Sequence, residues 1–221
     1  MKLIERDTPM NHKKISRIMR KYGLHTTVRR QNPYKTITKK TMAHRTFKNV
    51  LDRAFDQTMP YTVFCTDITY LPFRHGLAYL SVIKDIASGE IVAWHLAQSL
   101  GMELVLTTLD HLKRDHMNNL KQVLIHSDQG VHYTNPVYID MVSDLTMVQS
   151  MSRKGNCTDN APIESFFGHL KDEVAYKTCT TFAELYVMIE TYMEYYNCRR
   201  RQWGKQKMTP IEYRDHLLSH V

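Results

Sequence analysis

Residues 61–73, YTVFCTDITYLPF, decide how this chain folds. β-branched and aromatic residues dominate, and strand alternation puts Val63, Cys65 and Asp67 on one face of the pleat. LAYLSVIKDIAS (77–88) reads as a second strand after the Arg74-His75-Gly76 turn, and EIVAWHLAQS (90–99) as a third after Ser88-Gly89. Three strands joined by two tight turns make an antiparallel meander. The texture then alternates. MELVLTTLDHLKRDH (102–116) is amphipathic and helical, and KQVLIHSD (121–128) is a short apolar strand of the kind found at the centre of a sheet. Pro136 opens a helix containing Val137, Ile139, Met141 and Val142, and LTMVQSMS (145–152) is a fifth strand. NAPIESFFGHLKDEVAY (160–176) and TFAELYVMIETYMEYYNCRR (181–200) are helices. This order predicts an α/β fold: a mixed five-stranded sheet with helices on both faces.

At 221 residues the chain is long enough for one full domain and a smaller attachment. With 43% hydrophobic and 24% charged residues it is globular, and it has no apolar run long enough to span a membrane. No secretory signal opens the sequence, and Cys65, Cys157, Cys179 and Cys198 form no CxxC, so reduced thiols and a cytoplasmic, nucleoid-associated location are expected. Twelve histidines accompany the four cysteines without finger or knuckle spacing, so no structural zinc is expected.

The charge is unevenly placed. The net +8 hides fifteen basic against three acidic residues in 1–53, an excess of +12, leaving −4 on the rest. A basic arm on a mildly acidic body is the footprint of a polyanion binder. Within it, residues 9–23 predict a short helix: Asn11 caps it, Ile15, Ile18, Met19 and Tyr22 form a stripe, and Gly23 stops it. Lys13, Lys14, Arg17, Arg20 and Lys21 occupy the other faces. Arg29, Arg30, Lys39 and Lys40 follow in a polar stretch around Asn32-Pro33 whose spacing suits phosphates and carries no base-reading signature. The expected division is a partial helix-turn-helix-like DNA-binding segment (1–33), a basic linker (34–57), a catalytic core (58–198) and a C-terminal tail (199–221) whose Trp203 packs back onto the core.

Three acids carry the chemistry. Asp67 lies in a strand, Asp128 ends one, and Glu164 lies one turn into a helix. Each alone is ordinary: a paired or edge residue, a turn residue, a favourable charge at a helix start. If the first and fourth strands are neighbours, however, Asp67 and Asp128 end side by side, and a helix packed across them brings in Glu164. Such carboxylates repel one another unless cations lie between them, and hard, oxygen-ligated Mg²⁺ or Mn²⁺ suits the set. Two ions about 3.5–4 Å apart can clamp an in-line phosphoryl displacement. Lys171, two helical turns after Glu164, shares its face and can hold a phosphate as a point charge. Gly168 between them removes bulk from that face, whereas Phe167 and Leu170 belong to the core.

TDITY (66–70), HSDQGVHYTN (126–135) and SMSRKGNCTDNAPIESFFGHLKDE (150–173) resemble the catalytic region of bacterial insertion-sequence transposases of the OrfB type, relatives of retroviral integrases. The 35 residues between Asp128 and Glu164 match that family's spacing. YYNCRR (195–200), MTPIEYR (208–214) and NHKKISRIMRKYGL (11–24) resemble its further motifs. The resemblance implies an RNase H-like core, two divalent ions on Asp67, Asp128 and Glu164, Lys171 on a phosphate, and cleavage and joining of DNA at element ends. It also implies homo-oligomers assembled on element ends and target DNA, and more residues ahead of the 11–24 segment, supplied by an OrfA-like partner or a fusion. His126, Ser127, Ser152, Lys154, Asn156 and Asn160 are expected along the DNA path. Two other readings stand beside this one: a truncated DNA-binding regulator without activity, and a cellular RNase H-like nuclease.

Overall fold

The structure is a computed structural model that describes residues 11–24 and 45–220, apart from the side chains of His12 and Cys157. It divides into two units, the first ending at Lys40 and the second beginning at Thr41.

The first unit contributes helix α1 (His12–Lys21). The Asn11 side chain accepts from the Lys13 amide at 2.9 Å, satisfying one of the free N–H groups of the first turn. Gly23, at φ +63°, takes the left-handed turn that ends it. Lys13, Lys14, Arg17, Arg20 and Lys21 are all exposed. Arg29, Arg30, Lys39 and Lys40 lie outside the described residues, as do residues 34–44 of the linker.

In the second unit β1 (Val63–Phe73), β2 (Gly76–Asp85) and β3 (Ile91–Ala97) form the expected antiparallel meander. β4 (Leu124–Ser127) joins β1 in parallel, and β5 (Val148–Met151) joins β4 in parallel, giving the order β3-β2-β1-β4-β5. The parallel pairing of β1 with β4 requires a crossover, which α2 (Met102–His116) supplies. β4 and β5 are shorter than the sequence pattern predicts. Left-handed backbone at Gln122 and Thr146 turns the chain just before each of them.

Both faces of the sheet are covered, as two-sided burial along β1 requires. On one face Cys65, Leu71, Leu80 and Val82 pack against α4 (Ala161–Glu173) and α5 (Phe182–Cys198) through Ile163, Phe166, Leu170, Leu185 and Ile189. On the other, Phe64, Ile83 and Ile125 meet α2 and α3 (Pro136–Asp144) through Val105, Leu109, Tyr138 and Val142. Each such side chain contributes about 1.5–3 kcal/mol on burial, and together they fix where the acids of β1 and α4 can stand.

The tail departs from expectation. Residues 210–218 form a helix, α6 (Pro210–Leu218), begun by a reciprocal capping box between Thr209 and Glu212. Polar contacts dock this segment: Arg214 Nη1 meets Glu90 Oε1 at 2.7 Å, and Lys205 Nζ donates to Ala87 O at 2.7 Å. Trp203 does not pack onto the core; it is 84% exposed, with the Lys207 ammonium over its ring. Similarly, Tyr192 and Tyr196 are core residues, but Tyr195 is exposed, because one residue turns it about 100° away from Tyr196. Arg200 is bound to Glu173, Arg199 to Glu194 and Arg201 to Glu212, so this basic run ties the chain to itself.

Candidate active site

The site begins with register. Cys65 on β1 pairs with His126 on β4, so Asp67 and Asp128, each two residues further along parallel neighbours, emerge side by side at the centre of the sheet. The chain leaves β4 through an Asx-type turn in which the Gly130 amide donates to Asp128 Oδ1 at 2.8 Å. Any side chain at Gly130 would press on this carboxylate, since a Cβ there lies 2.7 Å from Asp128 Oδ1. Asp67 Oδ1 accepts from the Ile68 amide at 2.7 Å.

Helix α4 brings Glu164, and two tethers hold the helix start. Lys84 Nζ on β2 donates to Pro162 O at 3.0 Å, and Asn160 Nδ2 donates to Thr66 O at 3.3 Å. Asn160 therefore stands at the helix N-cap position but its side chain reaches across to β1 instead of capping. Its Oδ1 is buried and has no partner among the described residues, leaving an acceptor for a further donor. The loop before α4 hangs on Asp159. This fully buried carboxylate accepts from Arg53 Nε at 2.7 Å, from the Arg153 amide, Nε and Nη2 at 3.0 Å each, and from Asn49 Nδ2 at 3.1 Å. Hydrogen bonds from Arg153 hold it well below the usual carboxylate range despite its burial.

The result is one cleft of about 410 Å³ lined by Asp67, Asp128 and Glu164 together with Gln129, Gly130, Ser152, Arg153, Lys154, Gly155, Asn156 and Asn160. Its electrostatics are the reverse of those at Asp159. Burial first, then the charge of Asp128, and more weakly that of Glu164, push Asp67 up to about 7, against the lowering effects of the Ile68 amide and Lys171. Among the described residues no guanidinium or ammonium forms a hydrogen bond or ion pair with any of the three acids. The side chains are oxygen-only and mutually repelling, a donor chemistry that suits hard divalent cations, but among the described residues no three His, Cys, Asp or Glu side chains are gathered closely enough to hold a metal ion as they stand. Lys171 and Glu164 are exposed on one face of α4, while Phe167 and Leu170 face the core as expected. Gly168 between them is exposed as well; a glycine inside a helix costs about 0.5–1 kcal/mol relative to alanine.

Of the other residues expected along the DNA path, Ser152, Lys154, Asn156 and Asn160 line the cleft. His126 and Ser127 do not. His126 is fully buried, with Nδ1 2.9 Å from Ser150 Oγ and Nε2 3.0 Å from Ser152 Oγ. Ser150 Oγ already accepts from the Val50 and Leu51 amides, so its proton goes to Nδ1, and Nε2–H donates to Ser152. Burial drives the imidazole down to about 4, so it stays neutral. Strand alternation turns Ser127 inward too, where its hydroxyl donates to Asp128 O at 3.0 Å. Lys84 and the Arg53–Asp159 pair escape a reading of the sequence, because partners 78 and 106 residues apart leave no local pattern. Gly130 carried a signal, an Asp-x-Gly turn directly after a strand.

A central parallel strand pair with converging carboxylates beneath a crossing helix defines an RNase H-like, integrase-type core, and known structures agree. A chain of the simian T-cell lymphotropic virus intasome in complex with PP2A regulatory subunit B56 gamma superposes at TM-score 0.61 with 18% identity, over 77% of this chain and 59% of that one. The HTLV-2 integrase catalytic core domain in complex with magnesium superposes at TM-score 0.52 with 14% identity, over 71% of this chain and 97% of that one. In sequence, an integrase core domain family matches residues 57–157, and a second integrase core domain family matches residues 164–218. An uncharacterized transposase-like protein of Haemophilus influenzae is 37% identical over 95% of both chains. The transposase for insertion sequence element IS904 of Lactococcus lactis is 32% identical over 92% of this chain and 80% of its own. The chain belongs to the insertion-sequence transposases with an integrase core. Among the described residues no helix is long and apolar enough to cross a membrane.

Proposed function

We propose that the chain catalyses cleavage of DNA at the ends of an insertion element and transfer of the freed 3′-hydroxyl strand into target DNA. Asp67, Asp128 and Glu164 hold two Mg²⁺ or Mn²⁺ ions, Lys171 holds a phosphate, and Lys154, Asn156 and Asn160 position the strand. When bound, the ions supply charge at the attacking and leaving oxygens of an in-line displacement. The three carboxylates contribute ligand oxygens from rigid elements, which keeps their geometry fixed through both steps. The unpartnered Oδ1 of Asn160 accepts a donor from the DNA side of the cleft. No side-chain nucleophile is called for, because water and then a 3′-hydroxyl attack directly. The observation that carries this reading is the half-buried Asp67, raised by the charges of Asp128 and Glu164, with none of the three acids ion-paired among the described residues.

Helix α1, with five exposed basic residues, serves phosphate contact in a DNA-binding segment at 1–33 ahead of the core at 58–198 and the tail at 199–221; of the linker expected at 34–57, residues 49–53 belong with the core, where Leu51 is buried and Asn49 and Arg53 bond Asp159. The protein works as a homo-oligomer on paired ends, together with an OrfA-like partner. Incubation of the purified chain with end-labelled duplex from its element, with and without Mg²⁺, tests the reading. Nicking that requires the metal and disappears in Asp128→Asn is expected; cleavage in EDTA, or by that variant, rejects it.

A further inference from the structure

The glycine at the centre of α4 is not explained by the protein's own packing. Gly168 lies in the interior of a thirteen-residue helix, on its exposed side. A Cβ built there meets nothing within 4 Å. Its backbone is not in the left-handed region that glycine alone enters easily. Among the described residues it accommodates no neighbouring helix and relieves no turn, so alanine or glutamine would fit against them and would favour the helix more. Local rules broken without an internal gain point to a functional surface. The neighbours on this face say which one. Glu164 is one turn before Gly168 and Lys171 one turn after it, and the Lys171 charge reaches as far as Asp67. The strip from Glu164, which lines the acid cleft, to Lys171 therefore carries no side chain at its middle; Lys171 stands at its far end with the exposed Asp172 beside it.

We propose that Gly168 is a steric aperture for the DNA backbone: a phosphodiester crosses α4 over this residue, between Glu164 and Lys171, closer to the helix than a side chain would allow. The proposal deepens the function given above and rests on it for the identity of the ligand. It makes Gly168 a positioning residue, acting by its lack of bulk, while Lys171 makes the contact. A longer side chain lifts the strand away from Lys171 and from the three acids without changing any of them.

The test uses the full chain and its Gly168→Ala and Gly168→Gln variants, with a fluorescent 30-base-pair duplex of random sequence binding in EDTA across a salt series, and with Mg²⁺-dependent joining of element-end duplex. Both variants should raise Tm by about 2–4 °C. Gly168→Gln should bind the duplex about five- to tenfold more weakly, with a salt slope smaller by about one, the signature of one lost phosphate contact. Gly168→Ala should fall between it and the wild type. Thr191→Ala, at an exposed position of α5, should stabilise without altering binding. A more stable Gly168→Gln that binds with unchanged affinity and slope overturns the aperture, as does a wild type that does not bind DNA. Loss of Mg²⁺-dependent joining in every protein, with the binding differences intact, sinks the catalytic reading and leaves the aperture standing.

Discussion

Two aspartates, Asp159 fully buried and Asp67 half-buried in the acid cleft, show opposite chemistry. Asp159 is enclosed by two guanidiniums, a backbone amide and an asparagine, and these hold it ionised far below the ordinary range. Asp67 has one backbone amide for a partner and two other carboxylates for neighbours, and it is pushed up to about 7. Burial disfavours charge at both; arginines overcome it at one, and nothing in the chain overcomes it at the other. The difference separates scaffold from site. An acid that has been given its cations holds a loop, whereas acids left facing one another are what the proposed function assigns to cations that arrive from outside.

This comparison breaks in three ways, in falling order of effect. Asp128→Asn should lower metal-dependent strand cleavage by at least about a thousandfold and keep the fold intact by circular dichroism; a mild loss would mean that the acids do not act together. Asp159→Asn should act on stability instead, by about 2–4 kcal/mol in urea unfolding, because it strips the 153–160 loop of its anchor while Arg53 and Arg153, both about half exposed, rehydrate. A change under about 0.5 kcal/mol would deny it a scaffold role. The smallest effect is in pH. The folded-state value of Asp67 is raised above its unfolded value near 4, so its ionisation weakens the metal-free fold above about pH 7, and this penalty fades as pH falls through 7 toward 4. Metal-free protein should therefore gain on the order of 1–2 kcal/mol relative to Asp67→Asn between pH 8 and 6, the open cleft screening part of the full shift. Parallel pH curves for the two proteins would remove the repulsion on which the comparison rests.

The meander, the five strands and the three acids were all legible in the sequence, because each announces itself locally: period-two alternation around Asp67, an apolar run ending at Asp128, a proline-started helix carrying Glu164. Side-chain direction was less legible. His126 and Ser127 stand next to Asp128 in sequence and yet face inward, since consecutive strand residues point to opposite sides and both sides of β4 are covered. The supports were not legible. Lys84 reaching Pro162, Arg53 reaching Asp159 and Arg214 reaching Glu90 are contacts between distant segments that no spacing encodes. Trp203 misled for the opposite reason: a large aromatic near the end of the chain reads as an anchor, but Lys205 and Arg214 provide the anchorage and the ring faces water.

The central claim, that three carboxylates without a counter-cation in the chain constitute a divalent-ion site, is tested most directly by calorimetric titration of the purified chain with Mn²⁺ at pH 8, beside Asp67→Asn, Asp128→Asn and Asp159→Asn. Binding of two ions per chain by the wild type and by folded Asp159→Asn, and its collapse in the other two variants, is the predicted result. Equal uptake by the wild type and Asp128→Asn, or no uptake by either, would contradict the account.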